Sequence, residues 1–243
     1  TMFVSSAVIL DDGTWALYFY TISQIGVSTG SEIGMATAPG PEGPWTASDG
    51  PILTGGPEGA WDELSATHPS VVRVGDEWWM YYDGHRGDFS SEGDRAIGLA
   101  RSADGLTWVK YDDPATTDLL YADSDPVMTT GAEGEWDASR VYDANVVNGE
   151  EGFVMTYFTH RPDPRAGRVD YVIGVASSED GIDWVRHGQN PVLSSTRWGF
   201  QGIYLANMVR AFDSYLMMFD VQRSTGGGGT AVWLLEHPGF MFS

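Results

Sequence analysis

RSADGLTWVKYD (residues 101–112) has a near twin in SSEDGIDWVRHG (residues 177–188). In each copy an apolar run, AIGLA or VIGVA, precedes an Asp-Gly turn signal, and a tryptophan follows the glycine by three places. The pattern predicts a strand, a tight turn and a second strand. Trp108 and Trp184 stand 76 positions apart, so the hairpin belongs to a longer repeat.

Sliding the sequence on itself by 75 or 76 positions brings WDELSATHPSVVRVGDEWWMYYDGHRG, from Trp61, over WDASRVYDANVVNGEEGFVMTYFTHRP, from Trp136. A weaker copy starts at Trp198, WGFQGIYLANMVRAFDSYLMMFDVQRS, and another opens the chain, FVSSAVILDDGTWALYFYT. Each full copy reads as four strands, as in PSVVRV, EWWMYYD, RAIGLARS and TWVKY. Four antiparallel strands repeated in series describe a β-propeller blade. A β-sandwich is the rival, but it needs no long internal repeat. The expectation is an all-β chain, one propeller domain over 1–243, with successive blades at about 1–53, 54–122, 123–193 and 194–243. The twin phrase is then a blade-building device, with Trp108 and Trp184 packing between sheets.

Composition agrees and removes several functions. Strand-favouring residues and Gly or Pro turn signals recur, and no stretch of ten residues keeps a helical period. The formal charge is −21, and Lys110 is the only lysine against 34 acidic residues. Such a surface repels a phosphate backbone and an anionic membrane, so neither nucleic acid nor membrane is expected as a partner. It suits a soluble protein, extracellular or cytoplasmic, and a saline setting that screens self-repulsion. There are no cysteines to report the compartment. No apolar run reaches the length of a membrane span, and TMFVSSAVIL lacks a signal peptide's basic-then-apolar layout. The oligomeric state is left open.

Because the chain reverses at every strand, the start of strand one and the end of strand two share a rim, opposite the Asp-Gly turns. At strand-one starts the copies read VSSAVI, THPSVV, YDANVV and YLANMV, which makes Ser5, His68, Asp143 and Leu205 equivalent. One of them is a carboxylate. Burial at a channel mouth favours the protonated form of such a group, which suits proton donation; the alternative is a carboxylate held by backbone amides at a strand start. Strand-two ends offer His85, Arg86, His160, Arg161 and Arg223, which could grip sugar hydroxyls or tie blades to acidic neighbours. Asn145 and Asn207, two places beyond the strand-one starts, join them as candidates for substrate binding. Asp62, Glu63 and Asp137 follow repeated tryptophans and read as turn or cap residues. The tryptophans themselves, Trp61, Trp136 and Trp198, suit interblade packing or a sugar face. The Gly226–Gly229 run lacks the ending of a phosphate loop and reads as a connection. Zinc is not expected without cysteines or an HExxH spacing.

IGMATAPGPEGPW, IGLARSADGLTW and IGVASSEDGIDW, with the opening segment FVSSAVILDDGTWALYFYT, resemble phrases of a known clan. It is the five-bladed propeller clan of glycoside hydrolases, with its invertases, levanases, arabinanases and β-xylosidases of families 32 and 43. The resemblance covers nearly the whole chain and implies cleavage of a poly- or oligosaccharide. It implies three carboxylates at strand-one starts: a nucleophile or base, a residue tuning the acid, and the acid. His68 then stands in the tuning slot, where the clan shows Asp, and Asp143 in the acid slot, where it shows Glu. A blade bringing the nucleophile or base is expected before Thr1. No cofactor is required, and the resemblance leaves room for a structural calcium ion. Glycosidic cleavage normally takes two carboxyl groups, so a second is sought at Asp62, Glu63 or Asp83, or the chain binds sugars without cutting them.

Overall fold

The computed structural model describes residues 1–22, 30–87, 95–163, 168–211, 214–223 and 228–236. The fold is an all-β propeller of four blade-type sheets, each built from strands taken in chain order. The chain divides into two compact units, Thr1–Thr130 and Gly131–Ser243.

The first unit holds two sheets. One runs β1 (Met2–Ile9), β2 (Trp15–Thr21), β3 (Glu32–Ala38) and β4 (Thr46–Ala47). The other runs β5 (Ser65–Val74), β6 (Glu77–His85), β7 (Arg95–Ser102) and β8 (Val109–Lys110), and β9 (Pro126–Met128) pairs back onto β7. Residues 126–128, within the stretch expected to open the third blade, thus belong to the second sheet. The facing sides of the two sheets share one apolar cluster, which includes Tyr18, Met35, Val71, Met80 and Trp108. Two polar contacts fix their register: the Val71 amide donates to Ser6 Oγ at 3.1 Å, and Arg73 meets Asp11 at 3.0 Å.

The second unit repeats this plan with other residues. One sheet runs β10 (Tyr142–Gly149), β11 (Gly152–Asp163), β12 (Arg168–Ser178) and β13 (Val185–Arg186), with β14 (Leu193–Ser194) on β12. The other runs β15 (Gly202–Ala211), β16 (Ser214–Gln222) and β17 (Gly228–Glu236). Gly228 and Gly229 of the glycine run begin β17, and the first two glycines lie outside the described residues. Met208, Met217 and Phe219 pack with Phe158, Ile173 and Val175. Again the strand-one amide, here of Met208, donates to a side chain of the preceding sheet, Asn145 Oδ1 at 2.7 Å, and Arg210 faces Glu150 at 3.5 Å. Between β13 and β14 the Asn190 side chain imitates a strand, accepting from the Val175 amide and donating to the Val175 carbonyl.

The twin phrase has the expected place and purpose. Asp104 Oδ1 accepts the amides of Leu106 and Thr107, as Asp180 Oδ1 accepts those of Ile182 and Asp183. These backbone donors hold both carboxyls below the ordinary aspartate range. Gly105 and Gly181 take φ of 75° and 76°, a region that disfavours any side chain. Trp108 is buried and meets Tyr18 of the neighbouring sheet edge-on at 5.8 Å. Trp184 packs edge-on against Phe153 of its own sheet. Among the described residues no helix is long and apolar enough to cross a membrane.

Candidate functional site

All four first strands carry a register shift at the same place: between Val4 and Ser6, Thr67 and Ser70, Tyr142 and Asn145, and Tyr204 and Asn207. An extra residue in one strand bends it and re-aims a side chain. The residues at these bulges include the four that the repeat makes equivalent, Ser5, His68, Asp143 and Leu205. Two of them differ in backbone. His68 at φ 50° and Asp143 at φ 51° are the only non-glycine residues with positive φ among those described. Left-handed backbone at a residue with a Cβ costs about 1–3 kcal/mol, and histidine and aspartate tolerate it better than most.

In the first unit His68 is mostly buried, and its Nδ1 lies 2.9 Å from Asp83 Oδ2 and 3.1 Å from Thr67 Oγ1. The Tyr20 ring lies 4.3 Å from the imidazole, centroid to centroid. Asp83 is buried on β6, opposite Thr67 in the ladder. Of the three carboxylates considered as partners for the acid, it is the one that meets a candidate site residue. Glu63 instead accepts the Gly59 amide at 2.9 Å, a turn contact. Asp62, fully buried, takes the Tyr82 hydroxyl at 2.9 Å and the Lys110 ammonium at 2.6 Å. His85, two places along β6 from Asp83, is buried with Nδ1 2.9 Å from the Gly87 carbonyl, and Arg86 beside it is exposed.

In the second unit Asp143 is half-buried at its bulge. Its neighbour Tyr142 meets Phe158 and His160, each at 6.1 Å between ring centroids. His160 continues to Tyr171 at 5.9 Å, and Tyr171 to Tyr204 at 5.3 Å. This aromatic row went unread in the sequence because its members come from four strands. Arg161 lies against Asp170, its ladder partner on β12, at 3.2 Å, so its ion pair is within its own sheet. Asn145 is occupied through its carbonyl oxygen by the Met208 amide, which makes it a clip between sheets. Asn207 and Arg223 are exposed. Asp137 repeats the Asp62 arrangement, accepting from Tyr157 at 3.1 Å and Arg186 at 2.7 Å. Both aspartates are therefore central to buried clusters, a stronger role than the turn or cap expected. Trp61 and Trp136 pack against the tyrosines of these clusters, Tyr82 and Tyr157, whereas Trp198 is exposed.

Asp170 secures the returning segment around β14. Burial pushes its carboxyl up, but the Thr196 amide and the hydroxyls of Ser194, Thr196 and Ser195 outweigh this and hold it below the ordinary range. A carboxyl lowered by folding stabilises the protein above its unfolded value, about 3.9, and the contribution is lost as pH falls through the lowered one. Asp170→Asn is expected to cost about 1–3 kcal/mol near neutrality. Its stability should also vary less than wild type's across the acid limb, read from urea midpoints at successive pH values. Equal slopes in the two proteins would contradict this.

Among the described residues no group of three or more histidine, aspartate or glutamate side chains is placed to hold a metal ion.

No family model matches the sequence, and no curated protein matches it. Solved structures do. The chain superposes on BT0996 in an RGII complex with TM-score 0.72 at 17% identity, covering 96% of this chain and 70% of that one. A thermostable family-43 glycoside hydrolase gives 0.67 at 15% identity, covering 97% and 72%. Zg3597, a family 117 glycoside hydrolase of the marine bacterium Zobellia galactanivorans, gives 0.66 at 15% identity, covering 96% and 69%. What the chain shares with these proteins is the β-propeller fold found among glycoside hydrolases.

Proposed function

We propose that this chain is a glycoside hydrolase-type protein that acts on a poly- or oligosaccharide, with Asp143 as the acid that protonates the departing glycosidic oxygen. The observation that carries the reading is the left-handed backbone of His68 and Asp143, at equivalent bulges of β5 and β10. Strain kept at two matching positions, each bearing a proton-exchanging side chain, is what a functional site stores and a plain structural bulge does not need. The glycoside hydrolases among the structural neighbours support the substrate class. Arg86 and Arg223, exposed just past the ends of β6 and β16, and Asn207, exposed within β15, are assigned to sugar hydroxyls, together with His85, His160 and Arg161. With its charge of −21 the protein is assigned to aqueous surroundings, including saline ones.

A second reading, glycan binding without cleavage, has one observation in its favour: of Ser5, His68, Asp143 and Leu205, one is a carboxylate, where hydrolysis normally takes two. The test is a panel of plant and microbial polysaccharides, read by reducing-sugar release and by calorimetry. Release from any member supports the first reading, and heat of binding without release supports the second. Neither signal on any member would end both.

A further inference from the structure

The first unit contains a side-chain pair with a fixed polarity. Asp83 Oδ2 lies 2.9 Å from His68 Nδ1, and the carboxylate is 2% exposed, so the contact is shielded from bulk water. Thr67 and Asp83 are ladder partners, which anchors the acceptor on rigid backbone. Asp83 from β6 and Tyr20 from β2 face the ring, with the Thr67 hydroxyl on its own strand. An ionised carboxylate accepts and cannot donate, so the proton between the two residues belongs to Nδ1. The nitrogens of a neutral imidazole have opposite roles. With Nδ1 committed as donor, Nε2 acts as an acceptor toward whatever it meets.

We propose that Asp83 is a positioning residue that holds His68 in the Nδ1–H form, so that His68 takes part in the site as an acceptor for a glycan hydroxyl and not as a donor. The tautomer follows from the geometry of the pair; the glycan hydroxyl rests on the function proposed above. Sugars suit such a group, since each ring presents O–H donors that require acceptors when water is displaced. The bulge is part of the device: its left-handed residue lies beside Thr67, the ladder partner of Asp83.

The experiment is ¹⁵N spectroscopy of the imidazoles in the full, uniformly labelled chain, at a pH where they are neutral, with His68 assigned by the signal missing from His68→Gln. Nδ1 of His68 is expected to resonate as a protonated, pyrrole-type nitrogen and Nε2 as a pyridine-type one. The reverse pattern would overturn the proposal. Asp83→Asn keeps the side chain's shape and removes its charge. The His68 titration midpoint should then fall by about one unit or more. Cleavage of a glycan that wild type hydrolyses should drop about 100-fold in kcat, with KM within about twofold. An unmoved midpoint would also overturn it. The wild-type spectrum decides the tautomer even if the Asn variant does not fold. The expected tautomer in a protein that binds and cleaves no glycan sinks the proposed function and leaves the positioning intact. Cleavage by a protein with Nε2–H does the opposite.

Discussion

Replacing Lys110 by methionine is expected to lower the unfolding free energy by about 3–5 kcal/mol, the cost of leaving a buried charge without its partner. Asp62 is fully buried, and Lys110 Nζ reaches its Oδ2 at 2.6 Å. Burial first, and then the Asp62 charge, push the Tyr82 phenol well above its ordinary value, so Tyr82 stays a neutral donor and cannot replace the cation. Methionine preserves the apolar stem, which confines the loss to electrostatics. Lys110→Met with Asp62→Asn should recover much of the deficit, because the lone charge is then gone. Arg186→Met is the internal comparison. Asp137 is as buried as Asp62, but Arg186 is 34% exposed where Lys110 is 16%, so water can reach the vacated space and the loss should be smaller. Urea midpoints of the three variants and wild type measure all of this. A Lys110→Met loss below about 1 kcal/mol would rank the pair with ordinary surface bridges.

The repeated strands were legible because the repeat carries its own register. The equivalence of His68 with Asp143 follows from aligning THPSVV with YDANVV, and the ladders place both at matching bulges. The Asp62 cluster was half legible. Asp62 with Asp137, Tyr82 with Tyr157 and Lys110 with Arg186 all match in the repeat, but only folding shows that the cation two places after each twin tryptophan turns back to the aspartate. Other features left no pattern. Asp83 aligns with Phe158 in the next copy, so no recurrence marked it as the partner of His68. Asn145 bonds to a backbone amide, which no residue type encodes. Strands β9 and β14, of three and two residues, are too short to show alternation.

Asp143→Asn is expected to reduce cleavage by about 100- to 10,000-fold in kcat/KM, the usual contribution of a positioned acid. At about 1.36 kcal/mol per tenfold this is roughly 3–5 kcal/mol of transition-state stabilisation. Stability should barely change, since asparagine tolerates left-handed backbone as aspartate does and keeps its shape. That tolerance supplies a control which a generic loss of activity could not. Alanine at the same φ of 51° should be less stable than asparagine by about 1–2 kcal/mol, because its Cβ meets the following carbonyl with no local hydrogen bond in return. Glycine should regain that difference while remaining inactive. Melting temperatures would then rank glycine and asparagine above alanine, while all three variants lose activity alike. An asparagine variant within twofold of wild type would remove the carboxyl from proton transfer. The alanine deficit would persist even so, because it arises from the backbone, and the strain at Asp143 would then need a cause other than catalysis.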